Sequence, residues 1–169
     1  MGVDSLAKLR CTVIPNYQGA WNADDLDVVF HLLMVQTVDT HEMRAALEVV
    51  ALRNAAPKMT STHLAKIELA LIEGDNAETL GEFETANRAF HQALVAPCAM
   101  PRLLASLDGL QLANSRLVFA MARNAGWRPR SNQDHRLILQ ALRARNLDQA
   151  CSLLARHIQT IERLTVPAA

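Results

Sequence analysis

Aromatic side chains are scarce in this chain. Phe, Tyr and Trp make up only 4% of its 169 residues, while Ala and Leu abound. That balance disfavours β-sheets, which draw on aromatic and β-branched residues, and favours helices. A basic surplus is also missing: Lys+Arg and Asp+Glu both number 17. A chain whose main task is gripping DNA carries excess positive charge, so only a local patch could serve that end here. The three cysteines, Cys11, Cys98 and Cys151, are widely spaced and form no C-x-x-C pair. This excludes a disulfide framework and a cysteine-zinc cluster, and leaves buried free thiols in a reducing compartment. No apolar run is as long as a membrane span, and the start MGVDSLAKLR lacks the apolar core of a signal peptide. The expectation is a soluble, cytoplasmic protein with no membrane partner, free of repeats and low-complexity stretches.

What is present is half hydrophobic and periodic. Residues 1–21 read as a short β-type run, Cys11 to Ile14, followed by the turn-prone Pro15-Asn16 and Gly19. Beyond them the spacing predicts helices. The first starts near Asn22 and reaches about Gln36. A second starts at Asp39 or Thr40 and stops before Pro57, with Met43, Leu47, Val50 and Ala51 on its inward face. A third starts at Thr60 or Ser61, puts Leu64, Ile67, Leu71 and Ile72 inward, and is broken by Gly74-Asp75-Asn76. The fourth runs from about Ala77 to Val95, and the fifth from Pro101 to about Arg123. Trp127 to Pro129 form a loop, Ser131 or Asn132 caps a sixth helix ending near Asn146, and a seventh runs from Leu147 to about Leu164. Six to seven helices with short links predict an all-α antiparallel bundle.

Chemistry lies in where the six histidines fall. On the fourth helix, Asn87 and His91 sit four apart, within the apolar face of Phe83, Phe90 and Leu94. On the sixth, His135 lies one turn before Ile138 and Leu139. On the seventh, His157 sits among Leu153, Leu154, Ile158 and Ile161. Three imidazoles thus point from three helices toward one core. Each needs a partner, since an unpaired buried polar group costs about 1–3 kcal/mol. One zinc-like ion would satisfy all three, with Asn87 adding a carbonyl oxygen. Hydrogen bonds within the core are the other way to satisfy them. His41 and His63 fall in first turns and are expected in solvent; His31 has nothing spaced to join it. His41-Glu42 begins like H-E-x-x-H, but position 45 is Ala45. Glu84 is the acid nearest His91 in sequence and the one candidate general base, should the site be a small metal enzyme.

Three segments resemble the C-terminal effector domain of the FadR subfamily of GntR transcription regulators, the FCD domain. They are Met43-Arg44-Ala45-Ala46-Leu47-Glu48 and its Ala-rich continuation; Asn87-Arg88-Ala89-Phe90-His91-Gln92-Ala93-Leu94, similar to D-x-x-F-H-x-x-L; and Asp134-His135 through Leu142 with Ala155-Arg156-His157-Ile158. The likeness covers about residues 40–165, and the histidine separations of 44 and 22 residues also resemble the family's. The resemblance implies a divalent metal, zinc or nickel, held by His91, His135 and His157 with the residue at Asn87. It implies a small organic-acid effector, with Arg44 and Arg88 as candidates to bind its carboxylate, in a homodimer that is no enzyme. Two departures stand out. Asn87 replaces the family's Asp, which removes a negative charge and should weaken metal binding. Met100 replaces the Asn usually found before Pro101. Residues 1–21 resemble the tail of a recognition helix and the wing of a winged helix-turn-helix, with residues 22–169 as the effector domain. DNA binding is then expected only if a complete winged helix-turn-helix is supplied. A small metal-dependent enzyme and a metal-free helical bundle are the competing readings.

Overall fold

A computed structural model describes the backbone of residues 23–122 and 132–165, and the side chains of 39–116, 118–119 and 132–159. The wing-like segment 1–21, His31 and the loop at Trp127 to Pro129 lie outside the described side chains. By internal contacts the chain divides into Met1–Gln36 and Thr37–Ala169, and the site lies wholly in the second unit.

Six α-helices and two 3-10 turns, with no strand, make up the described residues. They are α1 (Ala23–Ala55), α2 (Ser61–Asp75), α3 (Leu80–Val95), α4 (Pro101–Ala122), α5 (Gln133–Arg143) and α6 (Leu147–Thr165). The expected first two helices are one. No Gly or Pro occurs between positions 22 and 56. The Thr-Val-Asp-Thr stretch that suggested a break costs only tenths of a kcal/mol per residue, too little to interrupt a hydrogen-bonded helix. α1 ends where Pro57 opens the 3-10 turn Ala56–Lys58.

Local chemistry sets the other ends. Thr79 caps α3 reciprocally: its hydroxyl accepts from the Glu82 N–H at 3.2 Å, and the Glu82 carboxylate accepts from the N–H of Thr79 at 3.0 Å. α3 runs into the 3-10 turn Ala96–Cys98, whose exit residue Ala99 is left-handed at φ 58°. Between α5 and α6 the chain reverses within three residues. Arg145 sits at φ 56°, and the N–H groups of Arg145 and Asn146 donate back to the carbonyls of Leu142 (3.0 Å) and Ala141 (2.9 Å). This is a Schellman closure made without glycine. Asn146 then caps α6 by accepting from the Gln149 N–H at 3.1 Å. That tight reversal holds α5 and α6 side by side.

α2 packs on α3 and on α5, α3 on α4, and α5 on α6. Every described helix feeds one core: Leu52, Ile67, Phe90, Leu94, Leu107, Ile138, Leu154 and Ile158 are all below 2% exposed. Each such side chain contributes about 1.5–3 kcal/mol by leaving water. Two expectations for inward residues are corrected. Met43 and Val50 on α1 are each 45% exposed, and Ile72 on α2 is 47% exposed. On α1 the buried stripe is His41, Arg44, Ala45, Glu48, Ala51, Leu52 and Ala55. It is rotated from the face that the large apolar residues mark, because three of its seven residues are polar.

Candidate metal and ligand site

Glu48 is the centre of that polar stripe and is fully buried. Its Oε1 accepts from Arg44 Nε (3.1 Å), Arg44 Nη2 (3.0 Å) and Gln111 Nε2 (3.3 Å). Its Oε2 lies 2.7 Å from His91 Nδ1. Burial alone would raise the Glu48 pKa. The charges of His91 and Arg44, with the hydrogen bonds from His91 and Gln111, outweigh burial and hold it at about 2. Glu48 is therefore an ionised carboxylate, and it can only accept.

The three predicted histidines meet. One ligand nitrogen from each of His91, His135 and His157 lies within 4.8 Å of the other two. His91 and His135 are buried and His157 nearly so. Phe90 stacks on the His135 ring at a 4.1 Å centroid distance and fixes its plane. The reversal at Arg145 brings α6 back so that His157 Nε2 lies 3.0 Å from His135 Nε2.

Each imidazole has its Nδ1 committed elsewhere. Glu48 takes that of His91. Asp134 Oδ2 lies 3.3 Å from Nδ1 of His157, and a carboxylate accepts. Asn132 Oδ1 lies 3.2 Å from Nδ1 of His135. The Asn132 amide is oriented by its own NH2, which donates to Asp75 Oδ1 at 2.9 Å and to the Leu71 carbonyl at 3.4 Å. Its oxygen must then face His135. All three Nδ1 atoms are thus donors, and a ring that is neutral in this arrangement offers its Nε2 lone pair. Burial first, then the His91 charge, lowers the His157 pKa to about 4, against the pull of Asp134. Burial and the neighbouring histidines push His135 well below its usual value.

Two neutral rings therefore aim lone pairs at each other across 3.0 Å, and the third, His91 Nε2, is buried without a partner. Lone pairs at that separation repel unless a cation lies between them. The edge of a tetrahedral zinc–imidazole site is roughly 3.3 Å, so the spacing fits a small divalent ion. Outer oxygens on each Nδ1 are also what a metal-binding histidine uses to hold its tautomer.

The FCD domain family matches residues 39–160, well over half of the chain. The chain belongs to the FCD family. Among solved structures, the FCD chain is similar to a transcriptional regulator of the GntR family from Pseudomonas syringae pv. tomato, at TM-score 0.70 and 18% identity over 95% of this chain and 91% of that one. It is also similar to E. coli McbR/YncC, at TM-score 0.68 and 18% identity over 95% of this chain and 80% of that one. At such identities the likeness is one of fold. No curated protein matches the chain. FCD domains are the effector-sensing parts of transcription regulators and not enzymes, as the sequence resemblance implied. No described helix is long and apolar enough to cross a membrane.

The remaining candidates of this FCD domain divide. Arg44 is 1% exposed and joins the cluster through Glu48; its Nη1 is buried with no hydrogen-bond partner. Arg88 is exposed and stays out of it. Asn87 is half-buried one turn before His91, and no hydrogen bond engages it among the described residues. Glu84 is buried but accepts from Ser115 Oγ at 3.2 Å. His41, expected in solvent, is 1% exposed and lies 2.7 Å from Asn114 Oδ1. α1 runs on through position 40, so His41 is not in a first turn but on the inward stripe. His63 does sit in a first turn, where its Nδ1 accepts from the Thr60 N–H at 3.0 Å. Sequence reasoning missed Glu48, Gln111, Asn114, Asn132 and Asp134 as members of the network. Only the i,i+4 spacing of Arg44 and Glu48 hinted at one of these partnerships.

Proposed function

We propose that this FCD domain senses a small organic acid beside a divalent metal, zinc or nickel, held by His91, His135 and His157. Asn87 offers a fourth, neutral oxygen donor. The metal would supply a positive charge for the acid's carboxylate, and Arg44 Nη1 would supply a buried donor to the same group. The observation that carries the reading is the convergence of one ring nitrogen from each of three imidazoles, each ring with its Nδ1 engaged by an oxygen. Effector binding shifts a regulator only through different affinity for its two arrangements. In a GntR regulator of the FadR subfamily, those are arrangements of a cytoplasmic homodimer that positions winged-helix heads on DNA. Arg88, exposed, is left outside this reading.

Metal analysis of tag-free protein tests it, with thermal shifts on adding zinc or nickel and then short carboxylic acids. Bound metal and a rise in Tm are expected in the wild type and absent in His135→Ala. Protein that retains no metal and gains no stability from it would favour a bundle whose histidines only hydrogen-bond.

A further inference from the structure

Resting on the carboxylate-sensing reading, we infer that Gln111 makes the site selective for acids bearing a hydrogen-bond donor next to the carboxylate. Gln111 is 3% exposed. Its amide orientation is set by chemistry: its neighbour Glu48 Oε1, at 3.3 Å, can only accept, so the NH2 must face it. The amide oxygen then points away, and it is buried with no partner. Arg44 repeats the pattern with the opposite polarity. Its Nε and Nη2 donate to the same Glu48 Oε1, and its Nη1 is buried and unpartnered.

One donor and one acceptor, both buried and both unmet, hang from a single carboxylate oxygen. Arg44 Nη2 at 3.0 Å and Gln111 Nε2 at 3.3 Å from that one atom make the two groups neighbours. An anionic oxygen answers Arg44 Nη1. Gln111 Oε1 demands an O–H or N–H, because a carboxylate or an alkyl group there would leave it unpaired or repelled. A 2-hydroxy acid or a 2-amino acid carries both groups on adjacent carbons, whereas a plain fatty acid does not.

Isothermal titration of the full chain with zinc present, against lactate, alanine and propionate, tests the inference. Malate and succinate form a second matched pair. The donor-bearing acid of a pair should bind roughly ten- to a hundredfold more tightly than its partner without the donor. Lactate against alanine then tells hydroxyl from ammonium. In Gln111→Met, of similar length but without the amide oxygen, the preference should shrink to within about threefold. If that variant fails to fold, the wild-type ratios alone decide. Equal affinity within each pair overturns the role of Gln111 and leaves carboxylate sensing intact. No binding by any of the five overturns the carboxylate reading, and this inference with it.

Discussion

Replacing Glu48 by Gln keeps the shape of the side chain and removes its charge, so it isolates what the buried carboxylate does. In the native site that charge holds Arg44, whose side chain is 2% exposed, and it accepts from Gln111 and His91 as well. Glu48→Gln leaves a guanidinium buried without its counter-ion, which costs about 3–5 kcal/mol in comparable settings. The depressed pKa of Glu48 points the same way. Its carboxyl is lowered from 4.5 to about 2. At about 1.4 kcal/mol per pKa unit, that corresponds to about 3 kcal/mol of stability. The sign is that of a depressed acid: this stability is present above pH 4.5 and drains away as pH falls toward 2.

A loss of about 3 kcal/mol in a chain of this size lowers Tm by roughly 6–12 °C. Urea unfolding of metal-free wild type and Glu48→Gln, followed by circular dichroism, measures it. Zinc titration adds a second readout, since His91 loses the carboxylate that holds its Nδ1. Affinity should fall roughly ten- to a hundredfold. The double variant Arg44→Met/Glu48→Leu should lose much less stability than the two single changes added together, because no charge is stranded. A Glu48→Gln protein within 1 kcal/mol of wild type, with zinc affinity unchanged, would refute the view that Glu48 anchors this site.

Three further outcomes are expected. Gly74→Ala, normally a gain of about 1 kcal/mol inside a helix, should instead destabilise, because the new Cβ would meet Asn132 Nδ2 at 2.8 Å. Denaturant unfolding gives the sign, and an imidazole NMR shift of His135 should follow as Asn132 is displaced. Metal-free protein should lose up to about 3 kcal/mol as pH falls from 6.5 toward 4, because unfolded His157 takes up a proton that the buried ring, lowered to about 4, refuses. A flat stability profile across that range would contradict a neutral His157. Asn87→Asp should tighten zinc binding, read by competition with a chromophoric chelator, since it returns a negative oxygen one turn before His91 on α3. If affinity does not change, position 87 lies outside the coordination sphere.

The helices and the three histidines were legible in the residue pattern, for a local reason. A 3.6-residue period, a capping box such as Thr79 with Glu82, and a Pro after a helix act within a turn or two. His91, His135 and His157 each lie on a stripe that its own helix marks as apolar. The stripe of α1 was not legible. Reading its large apolar residues as inward pointed to Met43 and Val50, while the core took His41, Arg44 and Glu48. Hydrophobicity finds a buried face only where burial is apolar. A buried polar face depends on partners, and those of Glu48 lie 43 residues away in His91 and 63 away in Gln111. His41 likewise depends on Asn114, 73 residues distant.

By itself, then, the order of residues determined an all-helical FCD domain, most of its helix limits, and which three imidazoles could share an ion. Those properties arise from contacts between near neighbours along the chain. Tertiary packing alone decided which nitrogen of each ring is taken by an oxygen, which oxygen that is, and which donor and acceptor stay unmet beside Glu48. Hydrogen bonds are directional and buried charge needs a counter-charge within a few ångströms, so these choices exist only once distant helices have been brought together.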